Sequence, residues 1–288
     1  MSNLIERGYI PLDKSWIIRM GVLDLLHGYN NTINFLEKQK PLSDDLKALY
    51  NALVDWELKE EIDVGESATL YRFLQFVSWN HGLNKKFIKK RTLKNRKICD
   101  NPEIVNWTIK QLLTLDNHTS QWASASVLCG NNEQIESPPF KLKLTYEAVK
   151  HWKECRKIGK CWTARYDKTI LRQAETFLKL LKKEKVIFVP EQAEDYCFAR
   201  AFNFITKEEG ERKWLSLKGH ESNRINEMEI ALNLLEKEKI IKSKDHRVVQ
   251  AVAMLAKATG ENIEVKYPEA VNKSWPQFWE FLNNACNL

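Results

Sequence analysis

Glycine is scarce in this chain of 288 residues, with ten in all, against the roughly 7% of an ordinary globular protein. No apolar run approaches the ~18 residues a membrane span needs, so no membrane segment is expected. The six cysteines (Cys99, Cys129, Cys155, Cys161, Cys197, Cys286) include no CxxC pair and no histidine-rich neighbour. That argues against structural zinc and leaves no metal site to propose. The opening Met1-Ser-Asn-Leu-Ile-Glu-Arg lacks a signal-peptide layout. The expected setting is therefore a reducing cytoplasm with free, buried thiols. No linker or low-complexity segment marks a domain boundary.

What is present is the composition of a globular protein. Hydrophobic residues make up 43% and charged residues 29%, which excludes wholesale disorder, collagen and a short disulfide scaffold. The length suggests two domains with a large core. Lysine and arginine number 45 against 38 acids, a net charge of +7. Such a charge suits an anionic partner, without choosing between nucleic acid, a membrane surface and a phosphorylated small molecule.

Long Leu/Lys/Glu stretches predict a helix-rich chain. Asp13 can cap a helix through Trp16, Ile17, Met20, Leu23 and Leu26, ending near Gly28. Ser43 can cap a second, through Leu46, Leu49, Tyr50 and Leu53, and Ser67 or Thr69 a third, through Leu70, Phe73, Leu74 and Val77. Further helices are expected at 103–113, 119–129, 170–181, 222–237, 248–258 and 275–282, with another running through Phe198, Phe202 and Phe204 to Gly210. Val186-Ile-Phe-Val-Pro190 reads as a short strand stopped by proline. Asn262 to Lys266 alternates like a second. Taken singly, Lys14, Arg19 and Arg72 read as solvated helix residues, and His246 as a structural histidine. The lysine-rich stretch 150–185 reads as a solvated face, or remotely as a basic helical surface for nucleic acid.

Several short motifs recur in a fixed order. Asp13-Lys14-Ser15 is followed by Arg19, then come Ser43-Asp44-Asp45 and Gly65-Glu66-Ser67-Ala68-Thr69-Leu70-Tyr71-Arg72. Arg96 follows a basic loop, and Thr119-Ser120-Gln121 precedes Ser137-x-Pro139-Phe140. The last third holds His220-Glu221-Ser222-Asn223-Arg224-Ile225, Asp245-His246-Arg247, and Lys273-Ser274-Trp275-Pro276 with Phe278. In this order, from about residue 9 to 284, the chain resembles the enolpyruvyl transferase family. The branch it is most similar to acts on shikimate 3-phosphate in aromatic amino-acid biosynthesis. The chain is shorter than usual members of that family, most heavily between Ser137 and Pro190.

The resemblance implies an α/β fold: a two-domain, enolpyruvyl transferase-like arrangement of inside-out α/β barrel halves around a cleft, trimmed and helix-rich. The shikimate-3-phosphate side would span 13–187, and 1–12 with 188–288 would complete the second half. The implied reaction joins phosphoenolpyruvate to the 5-hydroxyl of shikimate 3-phosphate and expels phosphate, with no cofactor. Both substrates are polyanions, so several cations must converge on them, and arginine's planar fork suits carboxylate and phosphate. By resemblance, Lys14, Thr69, Arg96, Arg224, Arg247 and Lys273 bind phosphoenolpyruvate, and Lys14 bridges the two substrates. Ser15, Arg19, Thr119, Ser120, Gln121 and Ser137 bind shikimate 3-phosphate. Glu221 matches the family's acid/base, and Glu191, after Pro190, stands for its second carboxylate. Proton transfer to and from the enol methylene and the hydroxyl makes Lys14, Glu191 and Glu221 the catalytic candidates. Departures are His220 for a lysine, Asn223 for an aspartate and Ala68 for a glycine. The expected partners are the two substrates alone, without nucleic acid or membrane, on a monomer. The alternatives are a non-catalytic or re-purposed relative that binds phosphorylated anions with the same residues and, remotely, the nucleic-acid-binding protein.

Overall fold

The computed structural model describes residues 3–115, 119–131, 138–217 and 223–288. The chain divides into two compact units, Leu12–Arg165, and Met1–Pro11 with Tyr166–Leu288. The fold is mixed α/β and rich in helix. The described strands make only two parallel pairs, and none closes into a barrel. No helix among the described residues is long and apolar enough to cross a membrane.

The Leu12–Arg165 unit holds α2 (Lys14–Leu26), α3 (Asn31–Glu37), α4 (Asp44–Asp55), β1 (Glu61–Gly65), α5 (Ala68–Asn80), β2 (Lys86–Lys89), α6 (Ile109–Leu115), α7 (Gln121–Leu128) and α8 (Lys143–Lys157). The short α1 (Asn3–Glu6) belongs to the other unit. Asp13 caps α2 by accepting from the Trp16 N–H at 3.1 Å, the expected use of an aspartate there. Ser43 and Ser67 precede α4 and α5, but their side chains make no capping bond. The stretch expected to be one helix at 103–113 is a 3₁₀ turn, Pro102–Asn106, followed by α6. α5 is the crossover between the parallel strands β1 and β2, which pair Ile62 with Phe87.

The core of this unit forms around α2, with Trp16, Ile17, Met20 and Leu23 fully enclosed. A buried aspartate ties its outer helices together. Asp24, 1% exposed, accepts from the Trp152 and Trp162 indoles at 2.9 and 3.0 Å. It also takes the Thr32 N–H at 2.9 Å and the Thr32 hydroxyl at 2.7 Å. Its charge is thus met mainly by neutral donors, with Arg156 Nη2 at 3.6 Å. Four donors on one buried carboxylate satisfy the rule that enclosed charge must be hydrogen-bonded.

The other unit contains α1, α9 (Lys168–Leu181), α10 (Tyr196–Ala201), α11 (Lys207–Lys213), α12 (Arg224–Glu238), β3 (Ile240–Ile241), α13 (His246–Thr259), β4 (Glu264–Val265) and α14 (Phe278–Asn284). The sequence places the chain's return near 187, whereas this unit resumes at Tyr166. The reason is α9, which packs on α13 and adds Ile170, Ala174 and Phe177 to the core of Phe198, Trp275, Phe278 and Phe281. The helix expected from Phe198 to Gly210 stops at Ala201, because Asn203 takes the left-handed region at φ +58°. It restarts as α11, where Thr206 and Glu209 form a capping box. Gly210 is required there, since a Cβ would meet the Tyr196 ring at 2.2 Å. The expected strand at 262–266 shrinks to β4, paired with β3, and 186–190 belongs to no strand among the described residues. Of the free thiols only Cys197 is buried, and Cys161 and Cys286 are exposed, which corrects the expectation of buried thiols.

Candidate functional site

The motif residues gather at helix starts. Lys14 and Ser15 open α2, Thr69 lies in the first turn of α5, and Gln121 opens α7. Arg224 opens α12, and His246 and Arg247 open α13. Helix N-termini carry unpaired N–H groups and a positive partial charge. Lysine and arginine in a first turn oppose that charge, and a nearby anion relieves the conflict.

In the Leu12–Arg165 unit several motif side chains bond one another. Lys14 Nζ meets Asp45 Oδ2 at 2.6 Å, and Asp45 sits in the first turn of α4. Arg19 is buried, against the expectation of a solvated residue: its neighbours α5, α7 and α8 close over it. Its Nε donates to Thr145 Oγ1 at 2.9 Å, its Nη1 to the Ser15 carbonyl at 2.7 Å, and its guanidinium lies over Phe73. Thr145 in turn donates to Ser124 at 3.0 Å. Burial pulls the Arg19 guanidinium down to about 10, with Asp13 pulling it back up.

Arg72 is likewise buried, at 1% exposure. Its Nη1 donates to Gln121 Oε1 at 2.7 Å, and Gln121 Nε2 donates to Thr69 Oγ1 at 2.6 Å. The Gln121 N–H donates to Thr119 Oγ1 at 3.2 Å, whereas Ser120 turns away to the Lys141 carbonyl at 3.0 Å. Thr69, Thr119, Gln121 and Arg72 thus form one linked group. Arg96, half-buried, contacts Thr92 Oγ1 at 3.3 Å. Thr92 donates to Glu66, which also lies 3.8 Å from Arg91. Ser137 lies outside the described residues.

The other unit keeps its cations differently. Arg224 Nε donates to Asp245 Oδ2 at 2.9 Å. Asp245 Oδ1 caps α13 by accepting from the Arg247 N–H at 2.9 Å, so one carboxylate joins both arginines of the set. His246 is buried, as a structural histidine would be. The Arg247 side chain is 6% exposed, and its nearest carboxylate, Asp167, is 4.0 Å from Nη2. Asp167 is already engaged in capping α9. Arg247 Nε and Nη1 are buried without a hydrogen-bond partner among the described residues. Lys273 ends the 3₁₀ turn Pro268–Lys273, which packs on α13. The adjacent Ser274 accepts from Gln250 of α13 at 3.1 Å.

Of the candidate carboxylates, Glu221 lies outside the described residues. The Glu191 side chain is 69% exposed and paired to Arg172 Nη1 at 2.9 Å. The enclosed carboxylate near this turn is Asp195, fully buried. It takes Arg172 Nη2, Gln173 Nε2 at 3.0 Å, and the N–H groups of Glu191 and Gln192 at 2.9 and 3.0 Å. Asp195 therefore shapes the turn that presents Glu191.

Sequence reasoning passed over Asp45 as a partner of Lys14, Arg72 as a buried ligand of Gln121, and Asp195 with Arg172. The signal for Arg72 was present: it falls on the same face as Thr69 and Phe76, three and four residues away. No cluster of His, Cys, Asp and Glu among the described residues could hold a metal ion. Comparison with known protein-family models, with curated proteins and with solved structures finds no match to this chain.

Proposed function

We propose that this chain transfers the enolpyruvyl group of phosphoenolpyruvate to the 5-hydroxyl of shikimate 3-phosphate, releasing phosphate, with an arrangement of the enolpyruvyl transferase kind. The observation that carries the reading is Arg247. A buried guanidinium with two unsatisfied donors is costly in a folded protein, and a bound carboxylate or phosphate removes the cost by accepting both. Three further features support it. Lys14, Arg224 and Arg247 all occupy first helical turns, where a cation is unfavourable without an anion. Arg224 and Arg247 share Asp245 and so are fixed relative to each other. Thr69, Thr119 and Gln121 form one polar group suited to a hydroxylated phosphate ester.

The chemistry assigned to these residues is an addition followed by an elimination. The acceptor oxygen bonds to C2 of phosphoenolpyruvate as its proton is removed, and the methylene carbon gains a proton. The C2–oxygen bond to phosphate then breaks as the methyl carbon returns a proton. Lys14, Glu191 and Glu221 are the proton carriers of the proposal, with Arg96, Arg224, Arg247 and Lys273 holding the anionic charge. A coupled phosphate-release assay with both substrates tests it. Turnover that needs both and is abolished by Lys14→Met is the expected result, and no phosphate release at high enzyme overturns it.

One observation favours a second reading, an anion-binding relative without catalysis: Glu191 is exposed and already paired with Arg172, and Lys14 with Asp45. Under that reading calorimetry detects phosphoenolpyruvate while the phosphate-release assay stays silent.

A further inference from the structure

On the reading that Arg247 holds an anion, we propose that Gln250 recognises a proton on that anion, so that this turn of α13 takes hydrogen phosphate in preference to a fully ionised anion such as sulfate. Arg247 and Gln250 lie three residues apart on α13 and so share one face of the helix. Both are buried, Gln250 at 4% exposure. Each leaves polar atoms without a hydrogen-bond partner among the described residues: Nε and Nη1 of Arg247, and Oε1 of Gln250. Gln250 Nε2 donates to Ser274 Oγ at 3.1 Å, and Ser274 is itself buried at the end of the turn that packs on α13. That bond holds the amide with Oε1 as the end left over. The leftover atoms are of opposite kinds, two donors and one acceptor, yet they do not bond one another. Buried polar atoms in native proteins are nearly always paired, so three of them within one helical turn call for a group that meets all three.

The chemistry of the three atoms selects the ligand. Sulfate answers only the donors. It has no proton to give near neutral pH, so it leaves Gln250 Oε1 buried against an acceptor, at a cost. A water molecule can serve Oε1 but brings no charge to a guanidinium whose nearest carboxylate is 4.0 Å away. Hydrogen phosphate does both: its ionised oxygens accept from Arg247, and its P–OH donates to Gln250. The first turn of α13 adds a field that favours negative charge. The proposed transfer yields this ion. In the elimination the methyl carbon loses one proton and the oxygen that parts from C2 gains one, so phosphate leaves as hydrogen phosphate. Gln250 is thereby a specificity residue for the released phosphate, at a position outside every motif read from the sequence.

Calorimetric titration of the full chain with inorganic phosphate and with sulfate, at neutral pH and equal ionic strength, tests the preference. The expected result is phosphate bound about tenfold more tightly than sulfate, the worth of one hydrogen bond to a charged group. Gln250→Leu, close in size but without an acceptor, should bring phosphate down to the affinity of sulfate. Gln250→Glu, which keeps an acceptor, should retain the preference, and Arg247→Ala should weaken both ions. Equal affinity for the two ions in the unaltered chain overturns the proposal, as does a preference that survives Gln250→Leu. The comparison in the unaltered chain decides even where a substitution prevents folding. Equal binding of both ions leaves the anion reading of Arg247 standing, whereas binding of neither overturns that reading and this proposal with it.

Discussion

In the Leu12–Arg165 unit the polar motif residues bond one another, Thr69 to Gln121 to Arg72, Lys14 to Asp45 and Arg19 to Thr145. In the other unit Arg224 is paired through Asp245, yet Arg247 keeps two buried donors without partners among the described residues. Lys14, Arg19 and Arg72 are each already engaged by a side chain of their own unit, so a ligand there must exchange those hydrogen bonds for others with modest net gain. The second carries an uncompensated cost that an anion recovers. A polar cluster whose members bond one another therefore says little about ligands, whereas a buried cation with two donors left over indicates both a place and a charge.

That contrast can be broken or sharpened by mutation. The largest effect is expected at Arg247. Two charge-assisted hydrogen bonds of about 1.5 kcal/mol each imply that Arg247→Ala lowers kcat/KM for phosphoenolpyruvate by about a hundredfold. The unfolding free energy should hold or rise, because a buried unpaired charge is removed. A stability loss as large as the binding loss would erase the distinction between the units. Next is Asp24→Ala, which strands two indole N–H groups and the Thr32 donors and should cost about 3 kcal/mol in urea unfolding. Gln121→Ala follows, with about 1–2 kcal/mol of stability lost as Arg72 and Thr69 lose their link. Its effect on phosphoenolpyruvate affinity should stay far below that of Arg247→Ala.

The smallest effect concerns pH. His151 Nε2 accepts from the Thr163 N–H at 3.1 Å, which requires the unprotonated ring nitrogen. Burial, and then Arg165, hold its pKa below the ordinary value, with Glu154 opposing. The unfolded chain therefore binds the proton more readily. The stabilisation is present above the unfolded value of ~6.5 and is lost as pH falls through it toward the folded value. His151→Gln should flatten thermal stability across that window, and an unchanged slope would assign it elsewhere.

The start of α2 was legible at Asp13 because capping is local chemistry, whereas Ser43 and Ser67 make no capping bond and the caps Asp167 and Asp245 were passed over. Asp13, Asp167 and Asp245 each accept a bond from the turn that follows them, and Gly260 closes α13 with a left-handed residue. Strand pairing was not legible, because it depends on distant partners. β1 and β2, Glu61–Gly65 and Lys86–Lys89, carry too few apolar residues to announce themselves. The apolar segment 186–190, which has the right pattern, finds no partner strand among the described residues. The candidate site shows the same division. Sequence order placed Arg224 and Arg247 on neighbouring helix starts, but the burial of Arg19 and Arg72 follows from α7 and α8 packing over them, which no local window contains. Glu191 illustrates the reverse: its position after Pro190 was visible, while the capture of its turn by Asp195 was not.

The central claim is that Arg247 is a buried cation awaiting an anion. Calorimetric titration of phosphoenolpyruvate into the unaltered chain and into Arg247→Ala tests it most directly. Measurable binding that weakens by about a hundredfold in the variant, with the folded state intact by circular dichroism, is the predicted result. Equal affinity in both proteins, or no heat of binding in either, would contradict it.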